Sequence, residues 1–257
     1  MVELPHLRSI AARVEVIAEA GSTNAMLREL AADVDAWPHL SVLLTDDQTA
    51  GRGRLDRQWT APAGTALAVS VLLRRLPVVA EARGWIPLAA GLAMAEAVAD
   101  QAEAHTVSVK WPNDVLVDGR KICGILAEAT GDAVIVGTGV NTTMTAAQLP
   151  VPTATSFAVL GIDVQVDRLL ARYLEGLDQA LVGLVATGDA GISGLHAAVS
   201  ARCGTLGQQV RVLLPGDRAL EGTAVSLDSE GRLVVREGDA LHAVSAGDVV
   251  HVRPTGA

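Results

Sequence analysis

The chain predicts an α+β fold in two unequal parts: a mixed β-sheet packed with helices, then a small barrel of short strands. Apolar runs of strand length recur between residues 14 and 140, and two longer stretches, 85–101 and 166–202, carry apolar residues at helical spacing. Beyond Cys203-Gly204, five short β stretches fill residues 208–253, broken by Pro215-Gly216, Asp228-Ser229, Glu237-Gly238 and Ala246-Gly247. Evenly spaced short strands of that kind indicate a small barrel. The division falls near residue 205, giving units 1–204 and 205–257.

Taken in order, Val14, Val16 and Ala18 alternate as a strand over 14–19. Ser22 is a good N-cap for a helix carrying Ala25, Met26, Leu27, Leu30 and Ala31. Residues 40–45 read as a buried strand that ends in Asp46-Asp47-Gln48. Thr49 to Pro62 has almost nothing to bury and reads as a loop. Strand 66–73 and the buried helix 85–101 follow, then β segments at 106–110, 114–117 and 121–128, with Asp118-Gly119 as a hairpin turn. An apolar strand over 133–140 ends at Asn141, and Leu169, Leu170, Tyr173, Leu174, Leu177 and Leu181 share one face of the later helix.

Composition narrows the function. Half the residues are apolar but only 2% are aromatic, so the core is built from Ala, Val and Leu. A net charge of −9 argues against a nucleic-acid partner. Two cysteines, Cys123 and Cys203, make no disulfide framework and no metal spacing. No basic segment leads into a long apolar run at the N-terminus, and no run reaches the roughly 18 residues of a membrane span. A soluble, cytosolic protein is expected.

Only two lysines, Lys110 and Lys121, and three asparagines, Asn24, Asn113 and Asn141, occur in the chain, all in short glycine-punctuated or turn segments. Elsewhere arginine supplies the positive charge. A position that keeps lysine asks for a compact ammonium, which a guanidinium fork does not replace. A position that keeps asparagine asks for both hydrogen-bond signs on one short stem.

In Gly51-Arg52-Gly53-Arg54-Leu55-Asp56-Arg57, glycines let backbone N–H groups approach a ligand while three arginines offer forks to phosphate or carboxylate. The bland alternative is a solvated loop with incidental charge. Lys110-Trp111-Pro112-Asn113-Asp114 follows a strand directly, and Pro112 keeps Trp111 extended, so the Lys110 ammonium is expected to project from the strand end. There it can stabilise charge building on a phosphorus centre. The bland alternative is a surface lysine beside a core tryptophan. No phosphate-binding Gly-x-x-x-x-Gly-Lys-Ser/Thr loop, dinucleotide fingerprint or catalytic triad is present.

Ser22-Thr23-Asn24, the run from Gln48 to Arg54, Trp59 to Gly64, Lys110 to Asp114, Gly119 to Leu126 with Glu128, and Gly137 to Asn141 together resemble the biotin protein ligases. The motifs run in the family's order over roughly residues 15–145, and the small C-terminal β unit also fits. The resemblance implies a class II synthetase-like catalytic domain of the biotin/lipoate ligase type with an SH3-like C-terminal barrel. It implies that biotin and ATP, with Mg²⁺, give biotinyl-5′-AMP, which then modifies one lysine of a carrier domain in a biotin-dependent carboxylase. Carried over, Lys110, Arg52 and Arg54 are catalytic. Ser22, Thr23, Asn24 and Gln48 hold the ureido ring; Gly51, Arg52, Gly53 and Arg54 cover the ligand, and Gly124, Ile125 and Leu126 line its apolar part, with Lys110 at its carboxylate. Arg54, Arg57, Trp59, Asn113, Asn141 and Lys121 serve the nucleotide, Lys121 being the weaker candidate for the carboxylate side; no metal ligand is assigned. Leu55-Asp56 stands where the family loop commonly has Arg-Gly, one cation fewer. With the first strand expected so early, no DNA-binding domain is implied. The alternatives are a lipoate–protein ligase and a non-catalytic biotin or nucleotide sensor.

Overall fold

The computed structural model describes residues 3–54, 57–214, 218–245 and 248–251. A short helix α1 (Pro5–Ile10), absent from the sequence expectation, leads into β1 (Arg13–Val16) and α2 (Thr23–Leu30). Next come β2 (Ser41–Thr45), the two-residue strands β3 (Gly51–Arg52) and β4 (Gln58–Trp59), and β5 (Ala66–Leu73). A 3-10 turn (Glu81–Trp85) runs into α3 (Ile86–Ala99), followed by β6 (Val107–Lys110), β7 (Asp114–Val117), β8 (Arg120–Thr130) and β9 (Ala133–Asn141). The expected helix 166–202 is two helices, α4 (Val166–Thr187) and α5 (Leu195–Arg202). Gly188, at φ +66°, stops α4 in the left-handed conformation that glycine adopts at least cost.

The large sheet has the order β1-β2-β5-β9-β8-β7-β6, parallel between β1 and β2 and antiparallel elsewhere. Its strands alternate between two burials. On β5, Leu67, Val69, Val71 and Leu73 face the main core with α3 and α4, while Ala68, Ser70 and Leu72 face the opposite way. On β9, Val134, Val136 and Val140 face that core, and Ile135, Gly137 and Gly139 oppose them. The second face carries a small core of Leu27, Trp37, Leu43, Leu72 and Ile135 under α2, and beyond it the sheet is open. Helix α3 is apolar all round because it is covered on every side, its residues 88–95 all buried.

Beyond α5, β10 (Gln209–Leu214), β11 (Arg218–Leu227), β12 (Leu233–Glu237), β13 (Ala240–Val244) and β14 (Asp248–His251) make an antiparallel sheet ordered β13-β12-β11-β10-β14. The expected turns Pro215-Gly216 and Ala246-Gly247 lie outside the described residues. The β11–β12 turn docks on two tryptophans: Trp85 Nε1 donates to Ser229 O at 2.8 Å, and Trp111 Nε1 donates to Gly231 O at 2.9 Å. No helix among the described residues is long and apolar enough to cross a membrane.

Candidate active site

A cavity of about 180 Å³ opens on the second face of the sheet, between the start of α2 and the β3–β4 hairpin. Its floor is made by glycines in cross-strand register. Asp114, Gly124, Gly139 and Ala68 form one row across β7, β8, β9 and β5; Leu126, Gly137 and Ser70 form the next. Each floor glycine clears space for one wall side chain. A Cβ on Gly137 would collide with the Asn24 amide, one on Gly139 would stand 2.7 Å from the Trp59 ring, and one on Gly124 would stand 2.9 Å from Lys121 Nζ. Here glycine is needed for close approach rather than for a turn.

One end of the cavity is polar and neutral. Ser22 caps α2, its hydroxyl accepting from Ala25 N at 3.4 Å, which sets Thr23 and Asn24 at the helix start. Thr23 N donates to Gln48 Oε1 at 2.8 Å. Buried Ser70 Oγ lies 2.6 Å from Asn24 Oδ1 and 2.8 Å from Thr23 Oγ1. Asn24 Nδ2 donates to Glu128 Oε2 at 2.7 Å and to Leu126 O at 3.2 Å, and Arg28 pairs with the other Glu128 oxygen at 2.7 Å. Burial pushes the Glu128 carboxyl up, but the hydrogen bonds from Asn24 and Arg28 and the charges of Arg28 and Arg52 outweigh it and hold it below its ordinary value.

The other end is charged. Residues 49–62, expected as a loop, include a two-stranded flap in which Gly51 pairs with Trp59 and Arg52 with Gln58. Arg52, Arg54 and Arg57 all line the cavity. Arg54 Nη1 donates to Asn113 Oδ1 at 3.3 Å, and Asn113 is clamped to β8, donating through Nδ2 to Ile125 O at 2.7 Å. Leu55-Asp56, the departure noted in the loop, lies outside the described residues. Lys121 reaches over Gly124 to Asp114, Nζ to Oδ1 2.6 Å. That oxygen, otherwise without a hydrogen-bond partner, is satisfied by the ammonium.

The cavity brings together Ser22, Thr23, Asn24, Gln48, Arg52, Gly53, Arg54, Arg57, Trp59, Asn113, Lys121, Gly124, Ile125 and Leu126. Three expected residues do not line it. Gly51 sits behind the lining, where a Cβ would meet the Gln48 amide and the Trp59 carbonyl. Asn141 shares the face of Gly139 but spends its Nδ2 on Thr155 O at 2.9 Å, tying down the 154–157 segment. Lys110 is the third, although its register partner Asp114 does line the cavity. It ends β6, the sheet's edge strand, two strand spacings (about 10 Å) from β8, with Asp114 beside it in register. Projection from a strand end is a rule of open parallel sheets; this sheet is mainly antiparallel, and its cavity lies on a face.

Sequence reasoning passed over Ser70, Arg28 and Ala68, used Glu128, Gly137 and Thr138 in motifs without a defined role, and gave Asp114 with Asn113 the phosphate or metal region. Glu128 and Gly137 stood inside matched motifs, but Ser70 carried no signal, since one Ser in an apolar strand is unexceptional. Among the described residues, no three His, Cys, Asp or Glu side chains converge as a metal site. Asp114, the one carboxylate of the lining, is already paired. The residues present therefore do not form a cage of their own for Mg²⁺.

Residues 19–141 match the biotin/lipoate A/B protein ligase family, and residues 205–252 match the biotin protein ligase C-terminal domain. The chain is similar to the biotin–[acetyl-CoA-carboxylase] ligase of Mycobacterium tuberculosis H37Rv, 39% identical over 247 residues that span 94% of this chain and 90% of that protein. It is similar to the bifunctional ligase/repressor BirA of Escherichia coli K12, 28% identical over 92% of this chain and 73% of that one. The solved structure of the Aquifex aeolicus biotin protein ligase in complex with biotin and ATP superposes with a TM-score of 0.76 at 25% identity, covering 94% of this chain and 99% of that chain.

Proposed function

The chain belongs to the biotin protein ligase family, and on that premise we propose that its cavity holds biotin at the neutral end and nucleotide under the flap. It is an ATP-dependent biotin–protein ligase. A carboxylate oxygen of biotin attacks the α-phosphorus of ATP, giving biotinyl-5′-AMP and pyrophosphate. The amine of a carrier lysine then attacks the acyl carbonyl, an amide forms and AMP leaves. The acceptor class is the biotin carboxyl carrier domain of an acetyl-CoA carboxylase, as in the name of the mycobacterial relative.

The single observation that carries the division of roles is the coexistence in one cavity of the Thr23–Gln48 pair and the Lys121 ammonium, with Leu126 and Ala68 between them on the floor strands. A urea ring needs neutral partners of both hydrogen-bond signs, an alkyl chain needs an apolar wall, and a mixed anhydride needs cations. Lys110, beside Asp114 in register, is assigned the carboxylate and α-phosphate with Lys121 as the weaker candidate there, Arg52, Gly53 and Arg54 the cover over the adenylate, and Arg57, Trp59 and Asn113 the nucleotide. A flap closed over the anhydride excludes the water that would hydrolyse it. Mg²⁺ is assigned to ATP, bound through its phosphates.

A lipoate ligase on the same fold needs an apolar lining where Thr23, Asn24 and Gln48 stand. The net charge of −9 supports a ligase without a DNA partner. We keep the division at 204/205 and a cytoplasmic setting as parts of the proposal. The test is pyrophosphate release on mixing the protein with biotin, ATP and Mg²⁺, followed by mass spectrometry of a carrier-domain peptide. A mass increase of one biotinyl group on one lysine is expected. Tight lipoate binding with no response to biotin would reverse the assignment.

A further inference from the structure

Biotinyl-5′-AMP acylates amines, and the chain that makes it carries few side-chain amines of its own. Of its twenty Lys and Arg residues only Lys110 and Lys121 are lysines. The flap end is cationic through Arg52, Arg54 and Arg57, and a guanidinium stays charged and offers no ready lone pair. The thiols are also out of reach: Cys123 and Cys203 are buried in the main core. Among the described residues that line the cavity, Lys121 is the one primary amine.

Burial does not protect Lys121, whose side chain is 42% accessible. It lies across Gly124, where a Cβ would stand 2.9 Å from Nζ, 3.1 Å from Cε and 3.6 Å from Asp114 Oδ1. The ammonium ends 2.6 Å from that oxygen, which is buried and has no hydrogen-bond partner besides it among the described residues. Lys110, the other lysine, stands beside Asp114 in register. Both lysines of the chain thus flank one carboxylate. The ion pair forms with the ammonium, and an ammonium has no lone pair with which to attack an acyl carbon.

We infer that Asp114 guards the adenylate against the enzyme's own lysine: paired with Lys121, it lets a compact cation sit beside the anhydride without taking the acyl group. The inference rests on the biotin reading above and goes beyond it. Without the carboxylate, a neutral Lys121 attacks the acyl carbon and the bond from that carbon to the phosphate oxygen breaks. AMP leaves with the electron pair, the nitrogen releases a proton to solvent, and biotin stays on Lys121 as an amide. Asp114 is a positioning residue in this scheme, acting through Lys121. An arginine needs no such guard, but its fork does not replace a compact ammonium.

The test supplies preformed biotinyl-5′-AMP, so that no adenylation step is needed, and reads the protein by peptide mass spectrometry. The parent should label a carrier-domain peptide and leave Lys121 unmarked. Asp114→Asn, which keeps the shape and removes the charge, should mark Lys121 at least ~10-fold above the parent. Asp114→Glu, which keeps the charge, should stay near the parent. An Asp114→Asn protein left unmarked at Lys121 overturns the inference, and so does equal marking of the two variants, which would report a loosened site. If Asp114→Asn does not fold, competitive acetylation of the parent with acetic anhydride decides. Lys121 should then react at least ~10-fold more slowly than the lysine of a short unstructured peptide; an equal rate overturns the inference while leaving the biotin reading intact. A parent that neither binds biotinyl-5′-AMP nor labels the carrier peptide defeats the reading and the inference together.

Discussion

The two ends of the cavity solve opposite problems. At the α2 end the polar groups are tied to one another at short range: Asn24 is held at three points, and Thr23 and Asn24 are short and buried. At the flap end Arg52 sits on a two-residue strand with Arg54 and Arg57 outside it, and the flap meets the sheet through a 3.3 Å contact between Arg54 and Asn113. Saturated short-range bonding gives geometric selection and little freedom to move. Long guanidinium side chains on a thin ribbon give charge wherever the anion comes to lie, at lower precision. The neutral end is thus the place for choosing a substrate, and the flap end the place for holding a reactive intermediate that must later be released.

The division is tested most severely by the two lysines. Lys121→Ala should lower pyrophosphate release by about 10²–10³-fold, the scale of removing a group that stabilises developing charge. Lys110→Ala should lower it at least as much, because Lys110 pairs in register with Asp114, which lines the cavity. A lysine whose removal leaves the rate of a stopped-flow pyrophosphate assay unchanged drops out of the assignment. Next in size are the floor glycines. Gly137→Ala expels the Asn24 amide and should raise KM for biotin roughly 10–100-fold with KM for ATP little changed. Gly139→Ala, which displaces the Trp59 ring, should do the converse. If both variants raise the same KM, the two ends are not separate.

A smaller effect is expected at the flap. Arg54→Ala should speed loss of preformed biotinyl-5′-AMP by about tenfold, the worth of one charge-assisted hydrogen bond. The reading is a filter-retention time course, and a rate equal to that of the parent removes Arg54 from the cover.

How much of this was legible in the sequence differs between the ends for a physical reason. The Ser22 cap, strand β5 and the Asp118-Gly119 hairpin were all readable because each is written in a local pattern: a capping side chain, a continuous apolar run, a turn dipeptide with both residues at positive φ. Strands β3 and β4 were not, since two residues cannot show a period of two. Helix α1, six residues long, shows barely more than one turn of pattern. The lysines were marked as special by their scarcity, but that both flank Asp114 follows from strand pairing, which is non-local. The same holds for Gly137 and Gly139. Their presence was noted in a motif, while their purpose depends on which side chains cross above them.

The smallest effect concerns the rear of the neutral end and its response to acid. Glu128 has its folded-state pKa depressed, so its carboxylate is favoured by folding, and the associated stability is present above the ordinary value of 4.5 and lost as pH falls through the lower folded-state value. The pair with Arg28 is partly exposed, with side chains 35% and 21% accessible, and solvent screens it. The bond from Asn24 is better shielded. Together they are of order 1 kcal/mol. Glu128→Gln should therefore lower Tm by about 2–4 °C at pH 7. As the parent's carboxyl protonates, the two melting temperatures should converge below pH 4.5. Differential scanning calorimetry from pH 7 to pH 3.5 reads this directly. A Tm gap constant across that range would show that the charge of Glu128 contributes nothing and that its shape alone holds Asn24 in place.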